Sequence, residues 1–205
     1  MNEEKIIKAS SVLSKIFSPF LLPLVGMLVL FLFSYLSMLY WSEKLFIIII
    51  VLIFTILLPT TLIRVYNKFQ GKAEKGNENS DNKMVSSIIS ILCYFSCYYT
   101  LSSNHVPYSI GCIILASLMI QVVCTLISVK WNISAHTAAA GGVTGALVAF
   151  AEIFSFNPVW WLCLALLISG IVGSNRIIIK QHTLAQVVAG FLVGMFCAII
   201  AILFI

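Results

Sequence analysis

The sequence predicts an all-α membrane protein, a polytopic transmembrane bundle of six to seven helices that forms one domain over residues 1–205. Of its residues, 61% are hydrophobic and only 9% are charged, and the mean hydropathy is +1.08. A soluble domain carries about 25% charged residues. Crossing a bilayer as a helix takes about 20 apolar residues, and runs of that length follow one another along the chain. We therefore expect the lipid bilayer, and no nucleic acid, among its partners.

Seven apolar runs are candidate spans, and they cover residues 17–40, 45–63, 84–103, 108–129, 138–155, 158–173 and 184–205. The fifth and sixth are short, and the fifth is rich in alanine and glycine, so six spans is the alternative if one of them is re-entrant. The fifth and seventh runs carry small-xxx-small pairs, which allow helices to approach closely. These pairs are Gly141 with Gly145 and Gly190 with Gly194. Both helices are therefore predicted to lie inside the bundle.

Two polar segments accompany the spans. Residues 1–16 alternate lysines with apolar side chains and suit a short interfacial amphipathic helix. They include acidic residues and lack a short apolar core with a small-residue cleavage site, so we expect no cleaved signal peptide. The segment 64–83 is rich in Gly, Asn and Lys towards its end and is predicted to be the one long polar loop.

The cations gather on one membrane face, which we call the motif face. Successive hairpins bring the N-terminus, the 64–83 loop and the junctions 130–137 and 173–183 to this face. Of the twelve Lys and Arg residues, only Lys44 lies on the other face. The positive-inside rule therefore predicts a cytoplasmic motif face, in a multi-pass protein of the inner (cytoplasmic) membrane.

The junction before the last span, "SNRIIIKQHTLAQVVAG", concentrates polar residues in an apolar chain. If its helix begins near His182, Gln186 lies one turn further on the same side and can accept a hydrogen bond from Nδ1–H. That bond leaves Nε2 free as a nucleophile or base. Arg176 offers a planar fork of donors for phosphate or carboxylate. Taken alone, such a cluster is more often a membrane border with snorkelling cations.

The junction "KWNISAHTAAAGG" has similar chemistry. Lys130 is a cation, Ser134 is a candidate N-cap, and His136 opens a helix of small residues. With the Ala135 amide, these groups can cradle a phosphate at a helix N-terminus. Of the three histidines, this one and His182 stand at helix starts on the motif face, which suits two-histidine phosphoryl transfer.

These motifs resemble those of the type 2 phosphatidic acid phosphatase superfamily, in a divergent form common in Bacteroidetes. The family's last motif, S-R, five residues, H, three residues, D, is matched by Asn175-Arg176, His182 and Gln186. Its P-S-G-H motif is matched by residues 133–136, "ISAH". The resemblance covers most of the chain.

The resemblance implies roles for these positions. His182 would be the nucleophile that becomes a phosphohistidine, and His136 would be the general acid. Arg176, Ser134 and the Ala135 amide would bind the phosphate, Gln186 would orient His182, and no metal or cofactor would be needed. His105, on the opposite face, would be a bystander.

The chain departs from the family at two points. The first family motif, K, six residues, R-P, is not legible; Lys83 is the best match for its arginine, and Lys75 or Lys130 stands in for its lysine. Gln186 replaces an aspartate. Losing a charge-assisted hydrogen bond costs about 1.5–3 kcal/mol, which slows an enzyme by roughly tenfold or more.

The leading functional hypothesis is a metal-independent membrane lipid phosphatase that hydrolyses a phosphomonoester or pyrophosphate on a lipid. Isoprenyl pyrophosphate, phosphatidylglycerol phosphate, phosphatidic acid and a lipid A phosphate are the candidate substrates. The alternative is a catalytically weak or inactive protein that binds lipid phosphate or a partner. A transporter is disfavoured because Glu152 is the one acidic residue inside the candidate spans. Many members of the resembled family act on the outer side of the membrane, which opposes the charge rule.

Overall fold

The computed structural model of the chain describes residues 24, 27, 31, 40–69, 80–104 and 106–204. The described elements are helices: α1 (Trp41–Leu52), a π-helical segment (Ile53–Leu57), α2 (Leu58–Phe69), α3 (Ser80–Ser103), α4 (Tyr108–Ser128), α5 (Ala135–Phe154), α6 (Val159–Ile178) and α7 (Leu184–Phe204). Six stretches in them are long and apolar enough to cross a membrane. The predicted fold class is confirmed: this is an all-α, multi-pass membrane protein.

The first described span, Trp41–Tyr66, runs through α1, the π-helical segment and most of α2. Pro59 has no N–H to donate, and its ring conflicts with the carbonyl four residues earlier. The helix widens just before it, and the Leu58 N–H donates to the Ile53 carbonyl five residues back. The span therefore continues past the proline as one helix.

Three predictions about the N-terminal part concern residues that are partly or wholly outside the described ones. The interfacial helix over residues 1–16 and most of the first span, 17–40, lie outside them. Leu24, Met27 and Phe31 are helical, and Met27 is 1% exposed in the main apolar core. The predicted loop 64–83 is helical at both ends, because α2 runs to Phe69 and α3 begins at Ser80; residues 70–79 are not described.

The two spans predicted to be short are full-length helices. α5 begins at Ala135 rather than at residue 138, and α6 continues to Ile178 rather than ending at residue 173. Each is a 20-residue span. The apolar pattern of α6 stops at polar residues, but the helix continues for another turn, in which Arg176 is buried while Ile177 and Ile178 remain exposed.

α5 and α7 run in the same direction and touch along their backbones. A Cβ atom on Gly141 would overlap the carbonyl oxygen of Phe191, and one on Gly194 would overlap that of Ala138. A Cβ atom on Gly190 would lie 2.7 Å from the Ser134 carbonyl oxygen. The predicted close approach of these two helices is confirmed, and it sets both N-termini side by side on the motif face.

Candidate functional site

Arg176 lies where three helices meet. One turn earlier on α6, a Cβ atom on Gly173 would lie 2.9 Å from Val187 Cγ1 of α7 and 3.9 Å from Thr137 Cγ2 of α5. Residues three apart share a helix face, so Arg176 projects from that same face, one turn nearer the membrane border. The arginine is only 7% exposed. A cation has thus been folded into the bundle rather than left to snorkel outwards.

The guanidinium has a neutral partner. Its Nη1 donates a hydrogen bond to the amide oxygen Oε1 of Gln181. In the described part of the chain, no carboxylate lies within ion-pair distance of it. Buried arginines are normally paired, because removing an ion from water costs several kcal/mol. Arg176 is therefore a buried positive charge that its described surroundings do not neutralise.

A turn at the end of α6 carries Gln181 back over Arg176. The Lys180 N–H donates to the Ile177 carbonyl at 2.9 Å, and the Gln181 N–H donates to the Arg176 carbonyl at 3.2 Å. Together these are the two bonds of a Schellman motif. Lys180 occupies its left-handed position with φ 57°, where glycine is usual. The turn ends α6 and directs the next residue, His182, towards α5.

Ser134 is the N-cap of α5, with φ −81° and ψ 107°. The predicted N-cap position is confirmed, although its hydroxyl makes no cap hydrogen bond. The residue is 0% exposed, and Oγ has no hydrogen-bond partner among the described residues. The Ser134 carbonyl, in contrast, accepts from Thr137 Oγ1 at 3.0 Å. An uncommitted hydroxyl thus lies beside the first-turn amides of α5, where Ala135 is the first helical residue.

His182 joins the two sequence motifs. Its Nδ1 lies 3.2 Å from the backbone carbonyl oxygen of Asn132, two residues before the Ser134 cap. His136 is the second residue of α5, one turn beyond Asn132, and is half-buried. The loop before α5, the helix that carries His136, therefore contacts His182, which precedes α7.

The predicted bond between His182 and Gln186 is wrong. α7 begins at Leu184, so His182 precedes the helix and Thr183 takes the N-cap position. The Thr183 N–H donates to Gln186 Oε1 at 2.9 Å, and the Gln186 N–H lies 3.4 Å from Thr183 Oγ1. This reciprocal pair is a capping box. Gln186 closes the first turn of its own helix, and the atom that lies beside Nδ1 of His182 is the carbonyl oxygen of Asn132.

Of the two predicted lysine ligands, the structure describes the side chain of Lys130 alone. Lys130 lies in the turn between α4 and α5, where its N–H donates to Ile127 at 3.0 Å, and its side chain is exposed. Lys83 lies in the first turn of α3, a helix that packs against α4. The Lys83 side chain, Lys75 and His105 lie outside what the structure describes.

Three residues of the site were not predicted: Asn132, Gln181 and Thr183. The capping box had a readable signal, since Thr183 and Gln186 match the T-x-x-Q pattern of a helix start. Asn132 acts through its backbone and Gln181 through a turn, so neither has a side-chain pattern. Among the described residues, no group of three or more His, Cys, Asp or Glu is placed to hold a metal ion.

Comparison with known families covers the C-terminal part of the chain, which forms this site. Residues 119–205 match the PAP2 superfamily. They run from within α4 to the C-terminal helix and include Arg176 and both histidines of the motif face. No curated protein and no solved structure matches the chain significantly. The resemblance read from the motifs is confirmed: over residues 119–205 the chain is consistent with a member of the PAP2 superfamily.

Proposed function

We propose that this chain is an integral membrane phosphatase that hydrolyses a phosphomonoester or pyrophosphate of a lipid through a phosphohistidine on His182. PAP2 proteins are generally phosphatases. The single observation that carries the proposal is Arg176, a 7%-exposed cation whose described partner is the neutral amide of Gln181. A bound anion would supply the missing negative charge.

Phosphate fits the donors around that charge. The side-on edge of a guanidinium, Nε–H and one Nη–H, matches two phosphate oxygens. The α5 N-terminus adds free amides and the positive end of the helix dipole, which favour anions. The unpartnered Ser134 hydroxyl provides another donor. The set suits a tetrahedral group with several charged oxygens better than a carboxylate, which has only two.

The reaction assigns one bond change to each histidine. Nε2 of His182 attacks phosphorus, forming the N–P bond while the P–O bond to the lipid breaks. His136, as imidazolium, gives its proton to the departing oxygen. In the second step neutral His136 takes a proton from water, which attacks phosphorus and releases phosphate and His182. Arg176 and the α5 amides stabilise the charge on the remaining phosphoryl oxygens.

The placement of these residues supports a lipid substrate, and the distribution of cations supports an inner-membrane location. Arg176 and His182 are at the motif-face ends of α6 and α7, at the border of the bilayer, where a headgroup enters while its tails stay among the lipids. The positive-inside rule favours a cytoplasmic motif face. Labelling of a cysteine introduced at residue 75, in intact cells and after permeabilisation, distinguishes the two orientations.

The test is phosphate release by purified full-length protein in lipid nanodiscs, from each of the four candidate lipids. We expect release by the wild type, loss with His182→Ala, and slow release with His136→Ala, because both the formation and the breakdown of the phosphoenzyme then lack their proton-transfer group. Gly170→Ala is the matched control, since a Cβ atom there meets nothing within 4 Å. Equal release by the wild type and His182→Ala would overturn the proposal.

A second candidate is a non-catalytic protein that binds lipid phosphate. It is favoured by the neutral oxygen of Gln181, which already occupies one donor of Arg176, and by Gln186, a neutral side chain at the position of the family's aspartate. This candidate predicts that the headgroup phosphate binds in an Arg176-dependent way while no lipid yields free phosphate or a phosphoenzyme.

A further inference from the structure

We propose that the backbone carbonyl of Asn132, rather than a side chain of α7, holds the Nδ1–H of His182 and thereby makes Nε2 the reactive nitrogen. The kinetic part of this inference rests on the proposed phosphatase function. The structural part, which nitrogen carries the proton and what accepts it, does not.

The distance between Nδ1 and the Asn132 oxygen is 3.2 Å. A carbonyl oxygen only accepts hydrogen bonds, so this contact is a hydrogen bond only when Nδ1 carries the proton. A neutral imidazole protonated there has its lone pair on Nε2, the nitrogen that a nucleophile or base needs. The carbonyl therefore selects the tautomer as well as the orientation of the ring.

Gln186 is already committed to Thr183. Its Oε1 accepts the Thr183 N–H at 2.9 Å, and its own N–H faces Thr183 Oγ1 at 3.4 Å. Turning the side chain towards His182 would break this capping box and uncover an amide of α7. The substitution of an aspartate by Gln186 thus coincides with the transfer of the orienting role to the loop before α5.

The loop is built to hold its carbonyl in place. Trp131 N–H donates to the Ile127 carbonyl at 2.9 Å, and Ile133 N–H donates to the Trp131 carbonyl at 2.8 Å. Ile133 is 3% exposed, and Ser134 is 0% exposed with its carbonyl against Gly190 of α7. Buried neighbours on the C-terminal side and a hydrogen-bonded turn on the other fix Asn132 between them. The two histidine motifs are consequently coupled through one backbone group.

The side-chain nitrogen NMR spectrum of ¹⁵N-histidine-labelled, full-length protein tests this directly. The chain has three histidines, and His182→Asn assigns the signals. We expect neutral His182 to be protonated on Nδ1 in the wild type, in Gln186→Ala and in Gln186→Asp. Conversion of His182 to the Nε2–H form, or to a mixture, in Gln186→Ala would overturn the inference.

An amide-to-ester exchange weakens the acceptor itself. Incorporating the α-hydroxy acid analogue of isoleucine at residue 133 turns the Asn132 carbonyl into an ester carbonyl, a poorer acceptor, and removes the Ile133 N–H. The matched control places the tryptophan analogue at residue 131, which removes the Trp131 N–H and its 2.9 Å bond in the same loop but leaves the Asn132 amide intact. We expect the residue-133 ester, and not the control, to lose the Nδ1–H preference and to lower kcat roughly tenfold, the effect of one hydrogen bond.

The outcomes separate the two proposals. An unchanged tautomer in the residue-133 ester, or an equal change in both esters, overturns the role of Asn132. If the protein shows the expected tautomers but hydrolyses none of the four lipids, the phosphatase function is overturned and the inference about His182 stands. The Gln186 variants keep the inference open to refutation if an ester protein fails to fold.

Discussion

Arg176 donates a hydrogen bond to Gln181, the residue that the Schellman turn at the end of α6 brings back over it. The contact pairs a buried cation with a neutral oxygen, and no carboxylate of the described residues compensates the charge. Four predictions follow from this contact, from the turn that makes it and from the helix pair beneath it.

Replacing Arg176 by methionine should separate stability from function. The change removes an unneutralised buried charge and keeps an apolar side chain of similar length, so we expect an unchanged or higher thermal midpoint. Phosphate release should fall by about 10²-fold or more, as when one preorganised donor is lost. Thermal unfolding and initial rates on the same preparation measure both. Arg176→Lys should also be slow, because an ammonium lacks the planar fork; full activity of the lysine variant would contradict a bidentate role.

Replacing Gln181 by glutamate should stabilise the protein and weaken the binding of the lipid phosphate. A carboxylate at this position pairs with the Arg176 guanidinium and supplies the charge that we assign to the substrate. We expect a higher thermal midpoint together with a raised KM or a raised Kd for the lipid phosphate, measured by titration. Gln181→Ala is the comparison: it leaves the guanidinium without its acceptor and should destabilise the protein by about 1–3 kcal/mol. Tighter phosphate binding by Gln181→Glu would refute the shared use of Arg176.

The contact between α5 and α7 should not tolerate a single methyl group. A Cβ atom at residue 194 falls on the carbonyl oxygen of Ala138, so Gly194→Ala must push the helices apart. Overpacking of this kind costs about 1–3 kcal/mol or more, and it should also abolish phosphate release because both histidines sit above the contact. Gly170→Ala, in open space, should be neutral or stabilising by up to about 1 kcal/mol, the gain from alanine in a helix. Unfolding in mixed micelles compares the two.

Lys180 should respond to substitution through its backbone. Its φ of 57° is a conformation that costs an L-residue about 1–2 kcal/mol. Lys180→Gly relieves that cost, so we expect a stability equal to or above that of the wild type and an intact site. Lys180→Val, which is stiff next to the backbone, should lower the thermal midpoint and release Gln181 from Arg176. Similar midpoints for the two variants would show that the turn does not depend on residue 180.

The fold was predictable because the bilayer imposes it. Apolar runs of sufficient length form membrane spans, and the small-xxx-small glycine pairs predicted the close contact between α5 and α7. The errors lay at helix ends, where the hydropathy decreases several residues before the helix ends. Arg176 was predicted to lie in a junction, but it lies in the last turn of α6. The burial of Arg176, which a one-dimensional pattern does not contain, places its charge inside the bundle although the rest of that turn is largely exposed.

The sequence predicted those parts of the site that depend on the type and spacing of side chains. Spacing singled out His136, His182 and Arg176, but it gave Gln186 a partner that the structure gives to Asn132. Residues three or four apart face each other only inside one helix, and α7 begins after His182. The contacts found instead are made by the backbone carbonyl of Asn132 and by Gln181, which the turn at the end of α6 brings back over Arg176. Neither contact produces a side-chain pattern that can be recognised in the sequence.

Because the backbones of α5 and α7 are in direct contact, the distance between the two histidine motifs is set by main-chain atoms. Exchanges of lipid-facing residues on these helices should leave that separation unchanged, since Gly141, Gly145 and Gly194 lie directly against backbone atoms of the opposing helix. Mutations that disable such a protein should therefore include changes at Gly141, Gly145 and Gly194, which lie inside the spans and are assigned no contact with phosphate.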